Sequence, residues 1–285
     1  MKKKNKILAV IICVIMSFIL ALECVELIHN VKERQSYDLW SYNHLKVSSI
    51  AIENEAQIEG IGAFSVSADK QVTFAPGNLQ YHLGDKKWQF AANQSDIVGQ
   101  LDSTNGVHSK YLGWIDLFDW KTATLPSATW RLLSKDEWVY VISRRENAEA
   151  LFALGIVNNG AGMILLPDNW GLPEGVNFVP SMTKGLFRVE GNDFFHNTTS
   201  KSYFDNIYNA DQWSVMQQAG AVFLPAGGYR SRHLLQDVGF VGYYWSSTPY
   251  RESDAIHLMF HWSRVNSSNF NSASFGYSVR MVKDL

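Results

Sequence analysis

Apolar and polar residues alternate in short runs along most of the chain, a pattern that predicts β-strands. The runs "GAFSVS" and "QVTF" flank the turn residues of "SADK", so together they predict a hairpin. Further strands are predicted at "KWQFA", "AGMILLP", "GAVFLPAGG", "GYYWSST", "AIHLMF" and "GYSVRMV". The pattern indicates a domain that contains many short strands.

Two segments repeat apolar residues at helical spacing instead. Ser134 and Glu137 have the spacing of a capping box, which predicts a helix from about Lys135 to Leu154. Asn209 and Gln212 have the same spacing and predict a second, shorter helix. Two main helices among many short antiparallel strands, joined by long loops, predict an α+β fold class.

The N-terminus differs from the rest of the chain. Basic residues precede an uncharged apolar run from Ile7 to Leu22, which predicts that residues 1–22 are a cleaved signal peptide or an uncleaved membrane anchor. Lipid attachment at Cys24 is a third alternative. Residues 23–59 are predicted to be a spacer and residues 60–285 a single domain. The protein is therefore expected to be exported to the cell envelope or cell surface, either membrane-anchored or secreted.

Composition and charge exclude several classes of function. A chain of 285 residues that is 46% hydrophobic and 18% charged can bury a full core. Its net charge of −2 gives no basic bias, so no nucleic-acid partner is expected. Both cysteines, Cys13 and Cys24, precede the predicted domain. The domain therefore has no disulfide, no cysteine metal site and no thiol nucleophile.

The stretch "RLLSKDEWVYVISRR" from Arg131 to Arg145 resembles the Arg-Leu-Pro-Thr-Glu-Ala-Glu-Trp-Glu-Tyr motif of the formylglycine-generating, sulfatase-modifying family, which has a variant of the C-type lectin fold. Later segments, "LPAGGYR", "GYYWSST" and "GYSVRMV", look like the terminal strands of that fold. More closely, the chain carries the motifs "VTFAPGNLQYH", "GWIDLFDW", "ILLPDNWGLPEGVNF" and "GAVFLPAGGYR". They look like the Fibrobacter succinogenes major paralogous domain family of exported Bacteroidales proteins, and this resemblance covers about Gly60 to Val282. The resemblance implies a C-type-lectin-like domain.

The resemblance also implies a kind of function. Some relatives with this fold are targets of diversity-generating retroelements, and they display variable residues on a lectin-like surface. By this resemblance the chain is a non-enzymatic binding protein whose C-terminal segment recognises a ligand. The oxidase activity of the family needs a cysteine pair that binds copper, which the domain lacks. Two alternatives stay open: an enzyme of the same fold with a non-cysteine metal site, and a structural or assembly protein of the envelope.

The sequence predicts neither a catalytic residue nor a metal ligand. The histidines show no His-x-x-x-His spacing on a helix, and Ser246 and Ser247 lack a Gly-x-Ser-x-Gly turn. Lectin-like folds often carry calcium, so a structural calcium ion is an open expectation, although no Asp-x-Asp-x-Asp loop is present. The loop carboxylates considered are Asp102, Asp116, Asp119, Asp168, Asp193 and Asp205.

The C-terminal segment has the most unusual composition. In "AIHLMFHW", Ile256, Leu258 and Phe260 are predicted to face the core, whereas the alternate residues, including His257 and Met259, are predicted to face a mixed surface. The Ser- and Asn-rich residues that follow suit exposed loops.

Large aromatic residues and arginine among small polar residues are typical of binding surfaces, with a solvated loop as the alternative interpretation. The predicted partner is a protein or glycan at a cell or phage surface, with the membrane as a further contact if the N-terminal segment is retained. The predicted ligand-binding residues are Tyr250, Arg251, Ser253, Asp254, His257, Met259, His261, Trp262, Arg264, Asn266 and Asn269.

Overall fold

Strands dominate the part of the chain that the structure describes. The structure, a computed structural model, describes residues 48–52, 62–98, 113–184, 186–188, 194–196, 202–232 and 234–285. Strands make up 42% of these residues and helices 16%, in several small, mainly antiparallel sheets with few helices. The predicted α+β fold class, which rested on two main helices among many short strands, is therefore wrong. The described part is mostly β-sheet.

The strands are short except near the C-terminus. Those described are β1 (Phe64–Ser65), β2 (Gln71–Phe74), β3 (Leu79–His82), β4 (Lys87–Phe90), β5 (Trp114–Ile115), β6 (Leu117–Phe118), β7 (Phe152–Val157), β8 (Gly160–Leu165), β9 (Phe187–Arg188), β10 (Phe194–His196), β11 (Ile207–Tyr208), β12 (Val222–Pro225), β13 (Tyr229–Ser231), β14 (Leu234–Gln236), β15 (Val241–Arg251), β16 (Asp254–His261), β17 (Arg264–Ser272), β18 (Tyr277–Ser278) and β19 (Val282–Asp284). The predicted short strands are confirmed in type, and Phe64 pairs with Val72 in the predicted opening hairpin.

The helices of the described residues are also short. The α-helices are α1 (Trp120–Ala123), α2 (Lys135–Val139) and α3 (Ala210–Gln218), with a π-helical turn at Tyr140–Arg144 and 3₁₀ turns at Ala148–Ala150, Ser181–Lys184 and Ser202–Asp205. None of the helices in the described ranges is long and apolar enough to cross a membrane. The predicted export segment, residues 1–22, lies outside those ranges.

The largest sheet has seven strands in the order β6-β18-β15-β16-β17-β10-β9. Its long central strands β15, β16 and β17 follow one another along the chain and pair antiparallel. β18 pairs parallel with the opposite edge of β15. The other sheets have the orders β11-β7-β8-β12, β1-β2-β19, β4-β3-β5 and β13-β14.

The long helix predicted from Lys135 to Leu154 is wrong in its second half. The predicted capping box is confirmed, because Ser134 and Glu137 each accept a hydrogen bond from the other's backbone N–H. The helical turns end by Ala150, and Phe152–Val157 forms a hairpin with β8 instead. Asn158 and Asn159 have positive φ angles of 50° and 66°. These are the backbone angles that a tight two-residue hairpin turn requires, so this turn competes successfully with the helix.

Removing the cap of α2 tests this local interpretation. Ser134→Ala is expected to lower the free energy of unfolding by about 1 kcal/mol, because the N–H of Glu137 loses its acceptor. Ser143→Ala is the matched control, since the Ser143 hydroxyl only donates back to the carbonyl of Val139 within the same helical segment. Urea unfolding of both variants provides the measurement. Equal midpoints for the two would contradict the capping role.

Both faces of the central strands are buried. On one face, Tyr244 and Leu258 belong to a core cluster that includes Trp138 of α2. On the other face, Trp245 belongs to a second core cluster together with Tyr277. The prediction that one face of β16 forms an exposed mixed surface is therefore wrong, because every residue from its second to its seventh position is buried.

The second face of β16 is covered by the segment that follows β17, and a buried arginine anchors that segment. Arg280 is fully buried; its Nε donates to Oδ1 of Asn78 at 3.0 Å and its Nη2 to the carbonyl of Phe223 at 2.8 Å. Burial lowers the pKa of Arg280 to about 10. Amide and carbonyl oxygens thus satisfy this cation, to which no carboxylate of the described residues is hydrogen-bonded.

Part of the predicted spacer also packs on the domain. Ile50 and Ile52 are both buried in the second core cluster, and the N–H of Ile50 donates to the carbonyl of Pro126 at 2.8 Å. The packed region therefore begins before Gly60, where the domain boundary was predicted.

Candidate functional site

Two exposed aromatic side chains lie together at the end of the C-terminal sheet where β15 turns into β16. Tyr250 is 44% exposed and Phe270, on β17, is 43% exposed. The pairing of β15 with β16 is irregular here: Pro249 pairs with Ala255 and Arg251 with Asp254, so Tyr250 is an extra residue on its strand. Such a bulge re-aims side chains at the end of a sheet.

Arg251 completes this group, which we call the tip cluster: Tyr250, Arg251 and Phe270. The rings of Tyr250 and Phe270 lie 4.3 Å apart at an angle of 30°. The guanidinium carbon of Arg251 lies 4.9 Å from the Tyr250 ring and 5.5 Å from the Phe270 ring. The guanidinium therefore contacts both rings, and each ring keeps close to half of its surface exposed.

The tip cluster stands on an apolar base. Phe270 is directly opposite Ile256 across the β16–β17 pair. Ile256 is only 5% exposed although it lies near the end of the sheet and outside the two central core clusters. Sheet pairing and this contact fix the cluster more firmly than a solvated loop would be fixed.

The structure divides the predicted ligand-binding residues into two ends of the sheet. Tyr250, Arg251, Ser253 and Asp254 lie at or beside the tip cluster, and all but the half-buried Asp254 are exposed. His261, Trp262 and Arg264 lie around the opposite turn, between β16 and β17, where Trp262 is 46% exposed. Because β16 has eight residues, the two ends are more than about 20 Å apart. They do not form one continuous surface.

Three of the predicted residues are buried between these ends, so their prediction as surface contacts is wrong. His257 is fully buried, and Met259 and Asn266 are each 8% exposed. The remaining residue, Asn269, is half-buried and pairs with His257, so it faces away from Phe270, its neighbour on β17.

Aromatic rings enclose His257. The ring of Tyr277 lies 4.7 Å from the imidazole, and the rings of Tyr243 and Trp245 each lie 5.7 Å away. Among the residues that the structure describes, neither ring nitrogen has a hydrogen-bond partner of normal geometry. Burial lowers the pKa of His257 to about 3, and the backbone of Ala255 offsets only part of this lowering. His257 is therefore a neutral core residue, without access to a ligand.

Sequence reasoning missed Phe270. It lies in "NSSNFNS", where small polar residues on both sides suggested a solvated segment. The sequence held one signal for it, because a lone aromatic residue among polar residues is typical of a half-exposed strand. The structure places it at the end of a strand that pairs with β16.

The sequence also showed no sign of a groove on the surface of the protein. It is an open groove of about 1,090 Å³, lined by the β1–β2 turn, the loop after α1, the start of α2 and the C-terminus. Arg131 lines it and donates to both carboxylate oxygens of Glu137 at 2.8 and 2.9 Å, and to Asp284 at 2.6 Å. Since its donors are engaged by two carboxylates, Arg131 stabilises the chain around the groove rather than being available to a ligand.

Those carboxylates considered for calcium that the structure describes do not converge. Asp119 caps α1 by accepting from the N–H of Thr122, and Asp168 accepts from Ser65 and Arg145. Asp102 and Asp193 lie outside the described residues. Across the described ranges, no group of three or more His, Cys, Asp or Glu side chains is placed to hold a metal ion. Calcium binding stays a prediction without a site in this part of the chain.

Asp116 is a buried acid with a strongly raised pKa. Its Oδ2 accepts from the N–H of Val98 at 2.8 Å. Burial raises its pKa to about 7, with a smaller contribution from the nearby charge of Asp96. A buried acid of this kind can hold a proton at neutral pH, but its N–H partner gives it a structural role in the core.

The chain matches no protein-family model, no curated protein and no solved structure. The function is therefore argued from the geometry of the tip cluster and from the motifs in the sequence.

Proposed function

We propose that the protein is an exported, non-enzymatic binding protein that recognises a protein or glycan at a cell or phage surface. The tip cluster is its recognition site. The observation that carries this proposal is the exposed arrangement of Tyr250, Arg251 and Phe270 on a paired sheet. Tyrosine and arginine are among the residues that contribute most binding energy at interfaces.

The exposed apolar surface of the two rings favours a recognition site over a solvated turn. Two large rings that are each nearly half exposed retain apolar surface that a partner can remove from water. Strand pairing on both sides of β16 already holds the residues in place, so little conformational entropy is lost on binding. The similarity of the sequence motifs to exported binding proteins is the second support, and the expectation of export depends on residues 1–22.

Screening the full-length protein against a printed glycan array and a random-peptide phage library tests the proposal. A selected ligand is expected to lose roughly 30-fold or more in affinity for the double variant Tyr250→Ala with Phe270→Ala, because both anchors are removed. Titration by biolayer interferometry measures this loss.

Two control variants make the result specific to the tip. Phe240→Ala removes a ring that is 69% exposed elsewhere on the surface, and Trp262→Ala removes the exposed ring at the opposite end of the sheet. Both are expected to bind the selected ligand like the unaltered protein. If Trp262→Ala abolishes binding and the double tip variant does not, the site has been assigned to the wrong end.

A further inference from the structure

We propose that the tip cluster binds the carboxylate of an acidic sugar within a glycan. This inference rests on the proposed function and names the class of ligand for the same site. Arg251 would receive the carboxylate, while an outer face of Tyr250 or Phe270 receives the C–H face of the sugar ring.

The first support for an acidic ligand is the guanidinium of Arg251. Within the described part of the chain, its guanidinium contacts the rings of Tyr250 and Phe270 but forms no hydrogen bond and no ion pair. No described residue uses its N–H donors, and the two rings pack against the planar fork. A positioned guanidinium fork matches the two oxygens of a carboxylate and forms two parallel hydrogen bonds with it.

The surrounding charges disfavour a polyanionic ligand. Glu252 and Asp254 follow Arg251 in the turn, and neither forms an ion pair with it. Their negative charges prevent a broad positive field, so a polyanion such as nucleic acid gains nothing here. The binding of a single carboxylate through two hydrogen bonds from one guanidinium does not depend on such a field.

The exposed aromatic surface of Tyr250 and Phe270 favours a sugar over an acidic peptide. Ring faces carry negative electrostatic potential, and the C–H groups on one side of a sugar ring can pack against them. In an acidic sugar the carboxylate is attached directly to the ring, so one rigid unit can contact a ring face and the adjacent guanidinium together. An aspartate or glutamate carboxylate sits on a flexible stem and brings no such apolar face.

The test uses oligosaccharides that end in uronic acid or sialic acid, together with their methyl esters, as probes for the full-length protein. We expect binding to the acids and a loss of about tenfold or more for the esters, which keep the ring but lose the charge. Arg251→Lys is expected to cause a similar loss, because it keeps the charge but not the fork. The exposed Arg232→Lys is the matched control and should bind normally.

The possible failures are distinguishable. Equal binding of acid and ester, or full binding by Arg251→Lys, would overturn this inference. If only acidic peptides bind, or if neutral glycans bind through Tyr250 and Phe270 without Arg251, the acidic-sugar inference is wrong while the proposed function stands. If neither these probes nor any ligand selected from the glycan array and the peptide library shows binding that depends on Tyr250 and Phe270, both are wrong.

Discussion

Asp116→Asn is expected to stabilise the protein at pH 8 by roughly 2–4 kcal/mol, an unusual gain for removing a buried polar group. The reason is that burial raises the pKa of Asp116 from 3.8 to about 7. At pH 8 the folded protein must ionise this carboxyl away from water, and every tenfold change in its acid dissociation constant costs about 1.4 kcal/mol. Asparagine has no charge and retains an oxygen that can accept from Val98.

The raised pKa of Asp116 determines whether stability rises or falls with pH. Because the folded-state pKa is raised, the contribution of Asp116 to stability is fully present below pH 3.8 and is lost as the pH rises to about 7. The variant should lose this dependence, so its advantage over the unaltered protein should shrink as the pH falls. Urea unfolding from pH 4.5 to 8 measures it, with the exposed Glu174→Gln as a control for net charge. A constant difference across this range would show that Asp116 is ionised throughout.

Sequence reasoning succeeded where the determinants of structure are local. Ser134 with Glu137 and Asn209 with Gln212 both form the capping boxes that their spacing predicts. Hydrogen bonds between residues three apart depend on little else, so the pattern is sufficient. The extension of α2 to Leu154 failed because "FALGIV" is apolar throughout and fits a helix as well as a strand, and the Asn158 turn decided between them.

The candidate site was predictable only in part, for a physical reason. Alternation along β16 assigns residues to two faces, but it does not reveal what covers each face. His257 was assigned to the surface because nothing near it in sequence shows that Tyr277, twenty residues later, folds back against it. Tyr250 and Arg251 were found because an aromatic residue and an arginine among small polar residues are typical of binding surfaces. The contact of Phe270 with them depends on the register of β17.

Replacing His257 is expected to have the opposite pH dependence from replacing Asp116. In the folded protein the pKa of His257 is lowered from 6.5 to about 3 by burial. As the pH falls below 6.5, the unfolded chain takes up a proton that the folded protein refuses, so stability is lost until about pH 3. Over this range the loss amounts to roughly 3–5 kcal/mol. His257→Phe should abolish it, because phenylalanine does not titrate.

Two replacements of His257 separate the effect of its titration on stability from the effect of its packing. His257→Phe places an apolar ring among Tyr243, Trp245 and Tyr277, whereas His257→Gln leaves a buried amide there. Glutamine is therefore expected to be less stable than phenylalanine at every pH, by about 1–3 kcal/mol. Since neither titrates, both should show the same slope of unfolding free energy against pH. Different slopes would mean that the pH effect comes from altered packing.

The two buried groups should largely cancel in the unaltered protein. Between about pH 4.5 and 6.5 the folded state holds a proton on Asp116 that the unfolded chain has released, and lacks the proton that the unfolded chain holds on His257. The numbers of bound protons are then nearly equal, so these groups give the unaltered protein a nearly flat stability profile in this window. Asp116→Asn should make stability rise with pH, His257→Phe should make it fall, and the double variant should be flat again. A double variant that keeps either slope would show that at least one of the two groups does not titrate as its burial requires.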